Sequence, residues 1–511
     1  MDIVAFVFYF VAMIAIGLFF FFKSKDTTEK DYFLGGRAMG PWVTAMSAQA
    51  SDLSAWLLMG LPGSILAFGL GQAWIGIGLA IGTAANWILV AKRLRKFSRA
   101  SGDAITLPQY LSNRFLSKSP AVSIICAVVF LVCFTIYVAS AFVAGADVFT
   151  TLVPELQRST AMLIFAAIVL AYTFLGGFSA VCWTDFFQGL LMLAALLLVP
   201  IMMAFTKNLD FNSLSTVYQA ADGTEFKFVA NFFSASWKDI LSGLGWGLGY
   251  FGMPHIIVRF MAIKKPSMVK KSATVAIIWV VLSLGAAILI AYLGRVFLLG
   301  DGSYLAKELL ENGKQSLIFV KLARTLFPGF IAGLLLAAII AASMSTADSQ
   351  LLVAASSFTS DLYKPLIRKK ASNKEVLWVS RLVVVVIAVV AFFIASSKGK
   401  AAQAIMDLVS NAWGIFGAAF GPAVLFSLFW KRFTYKGAVA GIVVGAVVDM
   451  LWLWLPVSGG AALTAVTGIY EIIPAFILSA IACVVVSLID KAPSKEVEAI
   501  FETATDNSID D

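Results

Sequence analysis

Apolar runs of about 20 residues, divided by short polar stretches, recur along almost the whole chain, the pattern of helices that cross a bilayer. They predict thirteen spans, at roughly 3–22, 41–68, 73–91, 121–147, 160–179, 183–206, 238–262, 273–298, 327–355, 375–396, 403–429, 437–456 and 469–489. Two runs break the pattern. In the second, Asp52 interrupts an apolar stretch from Pro41 to Phe68. A charge near mid-bilayer costs about 2.5–3.5 kcal/mol on insertion scales, so its presence marks a site. The seventh run holds Gly243, Gly245, Gly247, Gly249, Gly252 and Pro254 together with Trp246, Tyr250 and the chain's one histidine, His255. No helix of that content runs unbroken.

The second and seventh runs each begin a set of five, and five is odd, so successive sets enter the membrane from opposite sides. That parity is the arithmetic of an inverted-topology repeat, in which substrate and ions sit between broken helices at matching positions. Unwound backbone is admissible there because it lines a cavity or is buried in protein. The expected fold class is therefore all-α, a polytopic helical membrane protein in one transporter domain spanning 1–511. It comprises an extra N-terminal helix (3–22), two five-helix repeats (41–206 and 238–429), two C-terminal helices (437–489) and an acidic tail (490–511). With a rise of about 1.5 Å per residue, Asp52, Tyr250 and the pair Ser345-Thr346 fall in one layer, each about 10–12 residues from its cytoplasmic helix end.

Charge orients the chain. Lys23, Lys25, Lys30 and Arg37, then Lys92 to Arg99 with Arg114 and Lys118, then Lys264 to Lys271, Lys364 to Lys374, and Lys431 to Lys436 occupy alternate loops. The positive-inside rule places those loops in the cytoplasm, with the N-terminus outside and the tail inside. The long loops 207–237 and 299–327 are then external, the second with an amphipathic helix over 305–326 lying on the membrane surface. A composition of 60% hydrophobic and 13% charged residues excludes a soluble globular domain. The net charge of +9 is spent on topology and calls for no nucleic acid. Four cysteines without paired spacing give neither a disulfide framework nor a metal cluster. The first span lacks the flanks of a cleaved signal and is expected to stay in the mature protein. No GxxxxGK[ST] motif or long cytoplasmic stretch supports a nucleotide-driven pump.

The ninth span interrupts its apolar run with a hydroxyl cluster from Ser343 to Gln350. Hard cations prefer oxygen donors, and carbonyls freed beside Asp52 with the hydroxyls of Ser345 and Thr346 supply them. The alternative is that these serines bond back along their own helix or join helices. His255 as a catalytic base of an intramembrane enzyme, or as part of a receptor, is a further alternative, though it lacks a positioned partner.

Several stretches together resemble the sodium/solute symporter family. They are Asp31-Tyr32-Phe33-Leu34-Gly35-Gly36-Arg37, SAQASDLSAWLLMGLPG from Ser47, GWGLGYFGMPH from Gly245, MSTADSQLL from Met344 and GAAFGPAVLFS from Gly417, followed by a signature from Ser427 to Val447 with Arg432, Gly437, Ala438, Gly441 and Gly445. The resemblance covers nearly the whole chain. It implies a leucine-transporter-like core and sodium-coupled import by alternating access across the plasma membrane of a bacterial cell, without implying an oligomer. Sodium is then held by backbone carbonyls of Ala50, Leu53 and Ala342 and by the hydroxyls of Ser345 and Thr346, with Asp52 supplying charge and Ser54 and Trp56 supporting it. Trp246, Tyr250 and Pro254 resemble the branch of the family that carries L-proline, with Trp56 and Gly247 completing the substrate set. Trp246 and Tyr250, four apart, share a helix face and suit a compact apolar ring, although such pairs also serve as packing. Met253 departs from that branch, which has glutamine there, so another amino acid, a carboxylate or a sugar is the alternative solute. Arg37 resembles a residue of the cytoplasmic cation path or is simply a positive-inside residue. Some relatives bind a second cation through an aspartate aligned with Asp185, so Asp185, Ser345, Asp348 and Ser349 are expected to form a release site. Otherwise Asp185 is an interfacial cap and Asp348 part of a solvated exit.

Overall fold

The computed structural model describes residues 2–23, 28–175, 177–206, 208–397, 401–457 and 460–506. Lys25 and the last residues of the acidic tail, 507–511, lie outside them. Among the described residues ten helices are long and apolar enough to cross a membrane. Pro41–Asp52 and Ala55–Phe68, bent by 69°, make an eleventh span. The shorter apolar helix Arg158–Leu175 and a segmented stretch over 237–262 stand where the other two runs were expected. Strand is confined to one small ladder, Tyr218–Gln219 against Glu225–Phe226, in the 207–237 loop.

Local chemistry explains both breaks. Pro41 opens the first half-helix, where a missing N–H costs nothing. That helix ends at Asp52 because Ser54 adopts φ +39°, a left-handed geometry costing a non-glycine residue about 1–3 kcal/mol. The Ser54 hydroxyl accepts the Trp56 N–H at 3.2 Å, starting the tight turn Ala55–Leu57. In the seventh stretch, a reciprocal cap between Ser236 and Asp239 starts Trp237–Gly245. The chain then tightens into a 3₁₀ segment, Trp246–Phe251, and becomes extended at Met253 before Pro254 begins Pro254–Ala262.

Glycines let this stretch lie directly on the helix Ala73–Ala85. A Cβ on Gly247 would stand 2.4 Å from the Gly78 carbonyl oxygen, and one on Gly82 would stand 2.3 Å from that of Gly247. Backbone meets backbone, so nothing can yield.

The 305–326 stretch differs from expectation. It forms Leu305–Glu311 and Ile318–Leu326, whose Leu305, Leu309, Leu310, Ile318, Phe319 and Leu322 are buried in protein. It covers the second half of the bent span, Ala55–Phe68, where a Cβ on Gly63 would stand 3.0 Å from the Ser316 backbone. Its apolar face found a protein surface in place of lipid.

Candidate functional site

The two breaks meet. Tyr250 donates its hydroxyl to Asp52 Oδ2 at 2.5 Å across 198 positions of sequence, and both residues are buried. Asn86 holds the Tyr250 carbonyl at 3.0 Å, fixing the irregular segment from behind. Within the 28-residue helix Gly329–Ser356, Ser345 turns its hydroxyl to the Ala50 carbonyl (2.7 Å) as well as to Ala342 of its own helix (3.1 Å). Three of the expected cation donors, Ala50, Ala342 and Ser345, are thus brought together. The Leu53 carbonyl accepts the Leu57 N–H at 3.1 Å with one of its two lone pairs and keeps the other for a cation.

Unsatisfied oxygens mark what this place suits. Asp52 Oδ1 and Thr346 Oγ1 are buried without a hydrogen-bond partner. A buried polar atom left this way is costly, and a small hard cation is a group that satisfies such oxygens. The donor set of carbonyl, hydroxyl and carboxylate oxygens fits sodium.

Beside Asp52 lies a cavity of about 10 Å³, lined among others by Leu53, Ser54, Trp56, Tyr137, Trp246 and Trp413. That is room for about one water. Aromatic rings close it: Trp246 stacks on Trp56 (5.6 Å between centroids) and on Tyr470 (5.2 Å), and Tyr250 meets Trp413 edge-on (5.0 Å). Because Trp246–Phe251 is a 3₁₀ segment, positions four apart do not share a face as they would on an α-helix. Trp246 and Tyr250 are reunited by Trp413, whose Nε1 donates to the Trp246 carbonyl at 2.8 Å. Gly247 faces Gly78, not the cavity, so its part is the close helix approach. Pro254 starts the half-helix Pro254–Ala262.

Below this layer lies a buried ionic cluster. Arg259 reaches Asp185 at 2.9 Å, with neither side chain more than 1% exposed. The guanidinium also donates to Ser47 (2.7 Å), to Ser349 (2.5 Å) and to the His255 carbonyl. Ser47 donates to Asp185 at 2.7 Å, and Ser349 to Asp348 at 3.2 Å. Asp185, Asp348 and Ser349 therefore cluster around an arginine, while Ser345 faces Ala50. The sequence reading gave Arg259 no role. An intramembrane cation five residues before the pair Lys264-Lys265 was the available signal.

His255 is fully buried and packs edge-on against Phe134 at 5.8 Å, held by no acid or nucleophile. Arg37 clamps the inner end: it donates to Asp103 (2.8 Å), Ser98 (3.1 Å) and the carbonyls of Ala104 (2.7 Å) and Met261. Burial works against the Asp103 carboxylate, yet its bonds to Lys30 and Arg37 outweigh this and hold it below the usual carboxylate range.

The profile of the Sodium:solute symporter family matches residues 32–445. The chain belongs to the sodium:solute symporter family. It is similar to the sodium/proline symporter of Escherichia coli, with 42% identity over 506 residues that cover 98% of this chain and 96% of the relative. It is equally similar to two proteins of Bacillus subtilis. The osmoregulated proline transporter OpuE is 42% identical over 96% of both chains, and the high-affinity proline transporter PutP is 42% identical over 97% of this chain and 99% of its own. Among solved structures, a Na⁺-coupled sialic acid symporter in a substrate-bound outward-open state shares the fold, with a TM-score of 0.74 at 21% identity over 97% of this chain and 99% of that one. A nucleobase-cation-symport-1 family transporter in a closed conformation aligns with a TM-score of 0.53 at 15% identity, over 94% and 99%. This sodium:solute symporter is a multi-pass membrane transporter, so the enzyme reading of His255 has no support from its family or its surroundings.

Proposed function

We propose that the chain is a sodium-coupled symporter that imports L-proline by alternating access. The observation that carries this reading is the Tyr250–Asp52 hydrogen bond of 2.5 Å, which joins the substrate segment to the residue that gives the cation cage its charge. Similarity to proline carriers over 96–98% of the chain supports proline as the solute. Sodium is cargo here, held by the carbonyls of Ala50, Leu53 and Ala342 and the hydroxyls of Ser345 and Thr346. Its charge beside Asp52 favours the placement of Tyr250, and hence of Trp246, that grips a compact ring. Opening for substrate requires Trp246 and Trp413 to part, since the cavity holds about one water. The five-span sets 41–206 and 238–429 are the inverted repeats that move against each other, with the N-terminus outside and the tail in the cytoplasm of a bacterial cell.

Asp185, Asp348 and Ser349, with Ser345 above them, form the inward release path. Arg259 stands within it as a fixed cation, so sodium leaves this way only after the guanidinium shifts from Asp185. The decisive experiment measures labelled proline uptake into vesicles with and without an inward sodium gradient. Uptake that is equal in sodium and potassium overturns the sodium coupling, and a competitor that outperforms proline overturns the substrate.

A further inference from the structure

Away from the sodium cage, two carboxyls lie buried together near the far end of the C-terminal helices. Asp449 sits five residues from the end of Tyr435–Trp454, is fully buried, and neither of its oxygens has a hydrogen-bond partner. Glu471 precedes Ile472–Ile489 as its N-cap, is 2% exposed, and accepts from the Thr464 hydroxyl at a long 3.4 Å. Both face the same notch, where position 414 carries no side chain. A Cβ there would stand 3.0 Å from Asp449 Oδ2 and 3.5 Å from Glu471 Cγ. Among the described residues no lysine or arginine pairs with either carboxyl. The other titratable groups near them are Tyr470, and Cys133 and Tyr137 of the helix Ala121–Leu152. All three are neutral at physiological pH.

Two anions cannot share a buried notch without a cation. An ionised carboxylate stripped of water and of donors is strongly disfavoured, and a second one nearby raises the cost. A metal ion fits poorly, because hard metal cations take about six oxygens or keep their water, and the notch offers two carboxyls and one distant hydroxyl. A proton needs far less.

The pair is also wired to the transport site. Tyr470 adjoins Glu471 in sequence, its ring stacks on Trp246 at 5.2 Å and 27°, and its hydroxyl and N–H are held by the Ser410 carbonyl (2.7 Å) and Ser242 (3.1 Å). Any displacement of Glu471 therefore acts on the stack that closes the cavity. We propose that Asp449 and Glu471 form a proton-binding site, separate from the sodium cage, whose occupancy holds Tyr470 against Trp246. On loss of the proton to the external medium the two carboxylates repel, Tyr470 withdraws and the aromatic closure loosens. A rise in external pH thus favours the open site.

Intrinsic tryptophan fluorescence of the full-length protein in nanodiscs, titrated from about pH 5 to pH 9 without proline, reads this directly and does not depend on which solute is carried. The expected result is a titration that shrinks in Trp246→Phe, because one of the stacked tryptophans is gone, and vanishes in Asp449→Asn, Glu471→Gln and their double variant, because the proton site is gone. The neutral replacements keep shape and remove a buried charge, so they should fold, and their thermal midpoint should vary less with pH than that of the wild type. A titration that persists in the double variant overturns the proposal. So does a loss of bound radioactive sodium in the double variant, which would make the pair a metal site.

Discussion

Asp185 and Arg259 form a salt bridge of 2.9 Å with at most 1% of either side chain exposed, on two helices separated by 74 positions of sequence. A pair this deep persists because each charge satisfies the other, and removing one partner typically costs about 3–5 kcal/mol. Asp185→Asn should therefore lower thermal stability markedly, and Asp185→Asn with Arg259→Gln should recover most of the loss. In transport assays Asp185→Asn should reduce the maximal rate several-fold while changing proline affinity less than about twofold. Unchanged turnover in both Asp185→Asn and Asp348→Asn would remove this cluster from the release path.

Asp52→Asn keeps the shape of the side chain and removes its charge. A hydrogen bond or ion contact to a charged group is worth about 1.5–3 kcal/mol, so apparent sodium affinity should fall about 10- to 100-fold. Ser345→Ala and Thr346→Ala each remove one neutral donor and should cost about three- to tenfold. Sodium titration of uptake measures all three, with surface expression as the control.

Tyr250→Phe removes the hydroxyl that donates to Asp52 Oδ2 and leaves a second buried oxygen unsatisfied, at a cost of about 1–3 kcal/mol. Both sodium and proline affinity should decline together. Trp246→Ala should weaken proline binding about tenfold or more with sodium binding still detectable, since its ring walls the cavity but adds nothing to the cage. Coupling is reciprocal, so calorimetry must find that sodium tightens proline by the factor by which proline tightens sodium.

Gly247→Ala and Gly82→Ala put a methyl group into backbone at 2.3–2.4 Å. Neither helix can relax without parting, so we expect several kcal/mol of destabilisation and little protein in the membrane. Gly302→Ala, in a turn with open space around it, serves as the comparison and should express normally apart from a modest cost of its positive φ.

The Asp103 clamp carries a definite pH sign. Its folded carboxyl is held below the usual range by Lys30 and Arg37 against the effect of burial. The stabilisation is therefore present above the unfolded value of about 3.9 and is lost as pH falls through the lower folded value. Asp103→Asn should lower the thermal midpoint at neutral pH, and its difference from wild type should shrink below about pH 4. A constant difference across that range would contradict the clamp.

The apolar spans and the positions of both breaks were legible in the sequence, because bilayer thickness and the cost of buried charge act on each segment locally and leave their mark at Asp52, at the glycines around Trp246 and at the hydroxyls around Ser345. The pairing of these features was not. That Ser345 reaches the Ala50 carbonyl, that Tyr250 reaches Asp52, and that Arg259 fills the space among Asp185, Ser47 and Ser349 are outcomes of helix packing across 74 to 295 positions. The same holds for 305–326, whose amphipathic pattern shows an apolar face but not whether lipid or protein covers it, and for Trp246 and Tyr250, whose relative direction changed when the segment tightened from α to 3₁₀. Sequence states which groups must be satisfied; only the packed chain decides by whom, since a buried donor, charge or apolar face takes whichever partner the neighbouring helices bring within reach.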